Sequence, residues 1–142
     1  MIHAVVFALI SLLFVGCSSP LQQSFPNADR SHLWTAMVAT ASAPQYRSED
    51  IRGRWIVVEN DVDISLDSAQ IDVRRVLDRS LHLPRQKVQR DRREVTFSVY
   101  LLSDEVPTVE FVGHSSSTIP VRRLNEAQRY FAAVEAMLVP IE

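Results

Sequence analysis

The chain is poor in three residue types that small exported domains often rely on. It has one cysteine, three glycines and a single lysine among 142 residues. One cysteine excludes a disulfide within the chain, so the fold must rest on its core alone. With so few glycines, the chain contains no P-loop, dinucleotide fingerprint or GxSxG nucleophile elbow. It also lacks an excess of one charge. Fifteen basic groups face seventeen acidic ones, for a net charge of −2, and the pI is 6.1. A nucleic-acid binder of the usual cationic kind has a pI above about 9, so that class is set aside. Hydrophobic residues make up 46% of the chain, which excludes a disordered or collagen-like polymer. Long apolar runs are missing too. Ala4 to Val15 is apolar apart from Ser11, well short of the ~20 residues that span a bilayer and within the ~7–15 of a signal h-region. The length fits one domain.

That apolar run leads into Leu12-Leu13-Phe14-Val15-Gly16-Cys17, followed by Ser18-Ser19-Pro20. Here the chain resembles bacterial lipoproteins at their lipobox, where a small residue precedes an invariant cysteine. Gly16 and Cys17 match the pattern. Phe14 stands where leucine is usual, and the n-region Met1-Ile2-His3 carries no Lys or Arg. The resemblance covers about twenty residues and says nothing about the domain beyond them. It implies that Cys17 takes a thioether-linked diacylglycerol and becomes the first mature residue. Several acyl chains on one residue make a firm anchor where a single chain is marginal. Serine after the cysteine implies the outer membrane rather than the inner one, with the protein facing the periplasm.

The expected organisation is a signal peptide over 1–16, the lipidated Cys17 with a flexible tether over 17–29, and one domain over 30–142. Residues 18–28 are rich in Ser, Pro and Gln without periodicity. A first helix is expected from Arg30 to Ser42, capped by Asp29 or Ser31 and stopped before Pro44. Residues 54–58 form a β-rich run. Val62, Ile64 and Leu66 alternate with polar residues as in a half-buried strand. Glu59-Asn60-Asp61 between them predicts a turn, with one long bent strand as the alternative. A helix capped by Asp67 or Ser68 is expected to about Leu81, with Ala69, Val73, Val76 and Leu77 on its apolar face. Glu94 to Leu102 and Thr108 to Val112 read as strands joined by a turn at Ser103-Asp104-Glu105. A short strand near 119–122 and a last helix from Glu126 to Leu138 complete the chain, the helix opened by an Asn125/Gln128 capping pair. The order α-β-β-α-β-β-(β)-α predicts an α+β domain: an antiparallel sheet of three to five strands with about three helices packed on it.

Charge is unevenly placed. Residues 73–93 hold eight basic and two acidic groups, while 43–72 and 94–142 each hold three and seven. The basic block centres on Arg85, Lys87, Arg90, Arg92 and Arg93, the candidate anion-binding residues. Arginine suits phosphate and carboxylate because its planar fork donates two hydrogen bonds at once. The bland reading is a solvated loop paired with the protein's own acidic segments. Asp61, Asp63, Asp67 and Asp72 have the look of a calcium loop, but Leu66 replaces the glycine such a loop needs and Asp72 the final Glu. His32, His82 and His114 are widely spaced and form no metal pattern. Ser115-Ser116-Ser117 beside His114 reads as a loop, and Asp104-Glu105 as a solvated turn. Trp34, Trp55, Tyr130 and Phe131 have two readings, a ligand groove or the core, and their amphipathic spacing favours the core.

Neither a catalytic residue nor a cofactor or metal site emerges from these patterns. The expected function is that of an envelope lipoprotein acting as an accessory or assembly subunit of a larger complex through protein–protein contacts. The alternative is a binding module for a lipid or an anionic envelope polymer, using segment 85–93. The expected partners are the membrane, through Cys17, and an envelope protein, with no nucleic acid.

Overall fold

The computed structural model describes residues 20–46, 51–103, 105–114 and 120–139. The elements in chain order are β1 (Leu21–Ser24), α1 (Arg30–Ser42), a 3-10 turn (Ile51–Gly53), β2 (Ile56–Ser65), β3 (Gln70–Leu81), β4 (Gln89–Leu102), β5 (Thr108–Gly113) and α2 (Pro120–Leu138). The strands form one sheet in the order β1-β5-β4-β3-β2, and every neighbouring pair is antiparallel. The domain is therefore α+β, with one five-stranded sheet and two α-helices among the described residues. None of these helices is long and apolar enough to cross a membrane.

The core lies between one sheet face and the two helices. Strand alternation sends Ile71, Val73 and Leu77 of β3, Phe97 and Val99 of β4, and Val109 and Phe111 of β5 to that face. Leu33 and Met37 of α1 and Val134 of α2 close over them. Phe97 stacks on Phe111 with ring centroids 4.7 Å apart, and Tyr130 and Phe131 meet the pair edge-on. The expected α1 is present, and Asp29 is its cap, accepting from the Ser31 and His32 amides at 3.1 and 3.2 Å.

Four expectations are corrected. The helix expected over 67–81 is strand β3. Leu66 to Ala69 form a tight turn instead, with the Ala69 amide donating to the Leu66 carbonyl at 3.2 Å and Ala69 at φ 50. Asp and Ser cap helices and build turns for the same reason, so the local signal served either outcome. Arg75 occupies an inward position of β3. That polar residue breaks the period-two pattern, leaving Val73, Val76 and Leu77 at spacings that imitate a helix face. The tether also proves shorter than expected, because Leu21–Ser24 pairs with β5 and places Leu21 opposite Phe111. No short strand forms at 120–122, which is the first turn of α2; Pro120 opens it, where a missing amide proton costs nothing. Asn125 and Gln128 are accordingly interior to α2 rather than at its start.

Between the two readings of 54–66, the structure takes the single strand. A bulge between Val57 and Glu59 shifts its register on β3. Without that shift Val57 and Asn60, an odd number of residues apart, could not both face the helices.

Candidate anion-binding groove and the buried network behind it

Two polar constellations stand out on this frame. The first is internal. Arg75 is 3% exposed and sits beneath the helices. Its Nε donates to Asn60 Oδ1 at 2.8 Å, one Nη to the Tyr46 hydroxyl at 3.3 Å and the other to the Ala41 carbonyl at 3.0 Å. Glu126 of α2 lies 3.7 Å from the guanidinium and accepts from Tyr46 at 2.6 Å. Asn60 Nδ2 also donates to the Ala41 carbonyl, at 3.0 Å. The cluster thus satisfies an end carbonyl of α1 with a cation and an amide, as a helix C-terminus favours. Burial, and secondarily the Glu126 carboxylate, pushes the Tyr46 phenol up to about 12. Tyr46 stays a neutral donor at ordinary pH, so the network is fully hydrogen-bonded and joins sheet, α1 and α2.

The second constellation is the groove at the far end of the β3–β4 hairpin. It encloses about 900 Å³ and is lined by Trp55, Arg79, Arg90, Arg92, Arg93 and Arg122, together with Asp91, Glu94, Thr96 and His114. Long strands put these cations together. Strands β3 and β4 run past the start of α2, and the pairing of Arg79 with Asp91 and of Asp78 with Arg92 continues almost to the turn. Gly113 leaves room for the Arg123 stem, which lies 2.8 Å from where a Cβ would sit. The start of α2 therefore closes over the end of β5 and brings Arg122 to the groove.

Two of the guanidiniums are neutralised. Arg92 holds Asp78 by two bonds of 2.8 and 3.0 Å. That contact draws the Asp78 carboxyl below its usual range and raises Arg92. Arg79 donates to Asp91 at 2.7 Å and lies over the Trp55 ring at 4.4 Å. The buried Arg79 Nε has no hydrogen-bond partner, an unusual cost for a charged group. Arg90, Arg93 and Arg122 make no side-chain hydrogen bond or salt bridge among the described residues. Glu94 is occupied by Arg74 at 3.2 Å. Alternation puts Arg93 with Arg79 on the helix side of β4 and Arg90 with Arg92 on its open side. The groove therefore wraps the free edge of β4 and offers Arg93 and Arg122 together with Arg90, whose charge also acts on Asp78, forks suited to oxyanions along that edge.

Of the five residues expected to bind anions, Arg90, Arg92 and Arg93 line this groove. Arg85 and Lys87 lie on the hairpin loop outside its lining, with Arg85 at φ 62 in the turn. Sequence reading misses Arg79 and Arg122, which it places on a helix surface and in a strand, whereas Trp55 packs against the core as expected and also lines the groove. Only the pairing of β3 with β4 and the early start of α2 bring the two arginines in. Tyr130 and Phe131 are buried as expected, and Trp34 packs against the same core.

The open sheet face carries one further cluster. Ser98 donates to Asp72, and its Oγ lies 2.6 Å from His114 Nε2. Gln70 Nε2 donates to Asp72 at 2.9 Å. Serine is the middle member here, and its one proton goes to the carboxylate. The His114 contact is then an Nε2–H donating to serine, so the imidazole does not face the hydroxyl as the base of a Ser–His pair. The cluster ties β3, β4 and the end of β5 together. His32 and His82 are exposed elsewhere. Asp61 and Asp63 flank Asp72 on β2, but Asp61 is bound by Arg74 at 3.1 Å, and no group of three metal-ligating side chains forms among the described residues. Cys17, Asp104 and Ser115 to Ser117 lie outside the described residues.

Fold and groove together define a small α+β domain with a basic cleft at one end of its sheet. No protein-family model matches the chain, and no curated protein matches it. Among solved structures it is similar to protein CV1439 from Chromobacterium violaceum. The two are 11% identical, over 87% of this chain and 98% of that one, with a TM-score of 0.43.

Proposed function

We propose that this protein is a lipid-anchored envelope protein whose domain binds an anionic component, a phosphate- or carboxylate-bearing lipid or polymer, through the basic groove. The observation that carries this reading is the grouping of Arg79, Arg90, Arg92, Arg93 and Arg122 around the free edge of β4 beside Trp55, with Arg90, Arg93 and Arg122 in no hydrogen bond or salt bridge among the described residues. The anchor at Cys17 follows from the lipobox resemblance and places the groove in the envelope. Calorimetric titration with inorganic polyphosphate tests the binding. Each charge-assisted bond is worth about 1.5–3 kcal/mol, so Arg90→Glu with Arg93→Glu is expected to weaken affinity at least about tenfold. Unchanged affinity in the double variant would sink the reading.

The accessory-subunit role has separate support in strand β2. It forms one edge of the sheet along ten residues, and its outer backbone groups have no partner among the described residues. Such an edge accepts a strand from another protein. Ile56 and Val58 are exposed along it, at 62% and 46%. Crosslinking in intact cells is expected to recover a defined envelope complex with the natural chain and lose it with Cys17→Ala. Recovery of nothing above background from either chain would count against a subunit role.

A further inference from the structure

The strand register relates the groove to the proposed anchor. Leu21 opens β1 opposite Phe111 of β5, and Phe111 faces Val99 of β4. The N-terminal end of β1 thus points the same way as the N-terminal end of β4 and the C-terminal end of β3. From the level of Val99, β4 continues away to Gln89, ten residues further, a length of about 30 Å at ~3.3 Å per residue. Cys17 lies four residues before Leu21, so even a fully extended chain reaches only about 14 Å. The hairpin therefore extends roughly twice as far from that level as the lipid on Cys17 can.

With its hairpin toward the bilayer, an anchored domain cannot stand upright on such a leash; tilted, it lays the hairpin along the surface. The side chains at that end fit this placement. Leu83 and Val88 on the hairpin loop are 45% and 50% exposed, and Ile56 at the start of β2 is also open to solvent. Among them stand Arg85, Lys87 and Arg90, none in a salt bridge among the described residues, the Arg90 charge acting on Asp78 at longer range. Exposed apolar residues interleaved with unpaired cations are the composition of an interfacial membrane contact.

We infer that the β3–β4 hairpin is a second membrane contact, seating its basic and apolar tip among the phosphate headgroups of the bilayer that holds the Cys17 lipid. This rests on the anchored reading above and adds a second surface, the hairpin tip, which shares Arg90 with the groove. Lipidation and headgroup contact then act as two linked sites, the second at the high effective concentration set by a short tether.

The test uses the full mature chain, lipidated and reconstituted into vesicles. With Cys17 acylated, Leu83→Cys supplies the only thiol for an environment-sensitive fluorophore. Leu66→Cys, in the turn at the opposite end of the sheet, is the control. In phosphatidylglycerol-containing vesicles, acyl-chain spin labels are expected to quench the probe at 83 and leave the probe at 66 unquenched. Arg85→Glu, Lys87→Glu and Arg90→Glu together are expected to abolish quenching at 83. Equal low quenching at both positions overturns the inference, as does strong quenching at 83 that survives triple charge reversal. Intact-mass measurement separates the two levels. A chain without acyl mass at Cys17 overturns the anchored reading along with the inference. An acylated, polyphosphate-binding chain whose position 83 remains in water overturns the inference alone.

Discussion

Arg75→Ala is expected to cost about 3–5 kcal/mol of unfolding free energy, the usual penalty for removing one partner of a buried ion pair. The substitution deletes three hydrogen bonds and a cation that lies 5.2 Å from the Phe97 ring centroid. It leaves Glu126, 4% exposed, with only Tyr46 and the longer 3.4 Å contact to Arg129. Unfolding by urea measures the loss as a shift in midpoint at constant slope. A fall of less than about 1 kcal/mol would mean that water replaces the guanidinium without penalty and that the network is not a keystone. The double variant Arg75→Met with Glu126→Leu is expected to lose less than the sum of its two single changes, because no charge is then left buried alone. Additive losses would show that the two charges act independently.

Phe97→Ala is expected to cost a similar ~3–5 kcal/mol by a different route. Phe97 is 1% exposed at the centre of the sheet's inner face, stacked on Phe111 and 5.8 Å from the Tyr130 ring. Rings in this arrangement contribute beyond their buried area, and the surrounding strands cannot collapse into the space left behind. The thermal midpoint is expected to fall by ~10 °C or more. Phe97→Leu keeps most of the volume and is expected to cost about 1.5 kcal/mol. Equal losses for the two changes would place the effect in the aromatic contacts rather than the cavity.

Much of the domain is legible in the sequence. Helix α1 announced itself through Asp29 and the spacing of Leu33 and Met37. Strands β4 and β5 did so through the alternation of Val95, Phe97 and Val99 and the run Thr108 to Val112. These are local signals, and local physics set the outcome. The basic block was equally visible as a charge count along the chain. What could not be seen was its geometry. Whether Arg90 and Arg93 pair with the protein's own acids depends on which strands run beside them, and that depends on the register of β3 against β4.

The hardest segment to read was 67–81, and its physical reason lies in Arg75. A charged residue at an inward strand position contradicts the pattern that marks a strand, and it is tolerated only because Tyr46, Asn60, Ala41 and Glu126 converge on it from four other parts of the chain. No window of sequence contains those partners. Strand β1 escaped notice for a related reason: four residues with two glutamines carry no periodicity, and β5 supplies the order. The sequence by itself determined the class of fold, the composition of the core and the presence of an unusually basic stretch. Tertiary structure alone decided that a buried arginine would turn a helix-like pattern into a strand, and that long antiparallel pairing would carry Arg79, Arg93 and Arg122 to one cleft. Both decisions rest on contacts between residues far apart in the chain, whose energies no local propensity records.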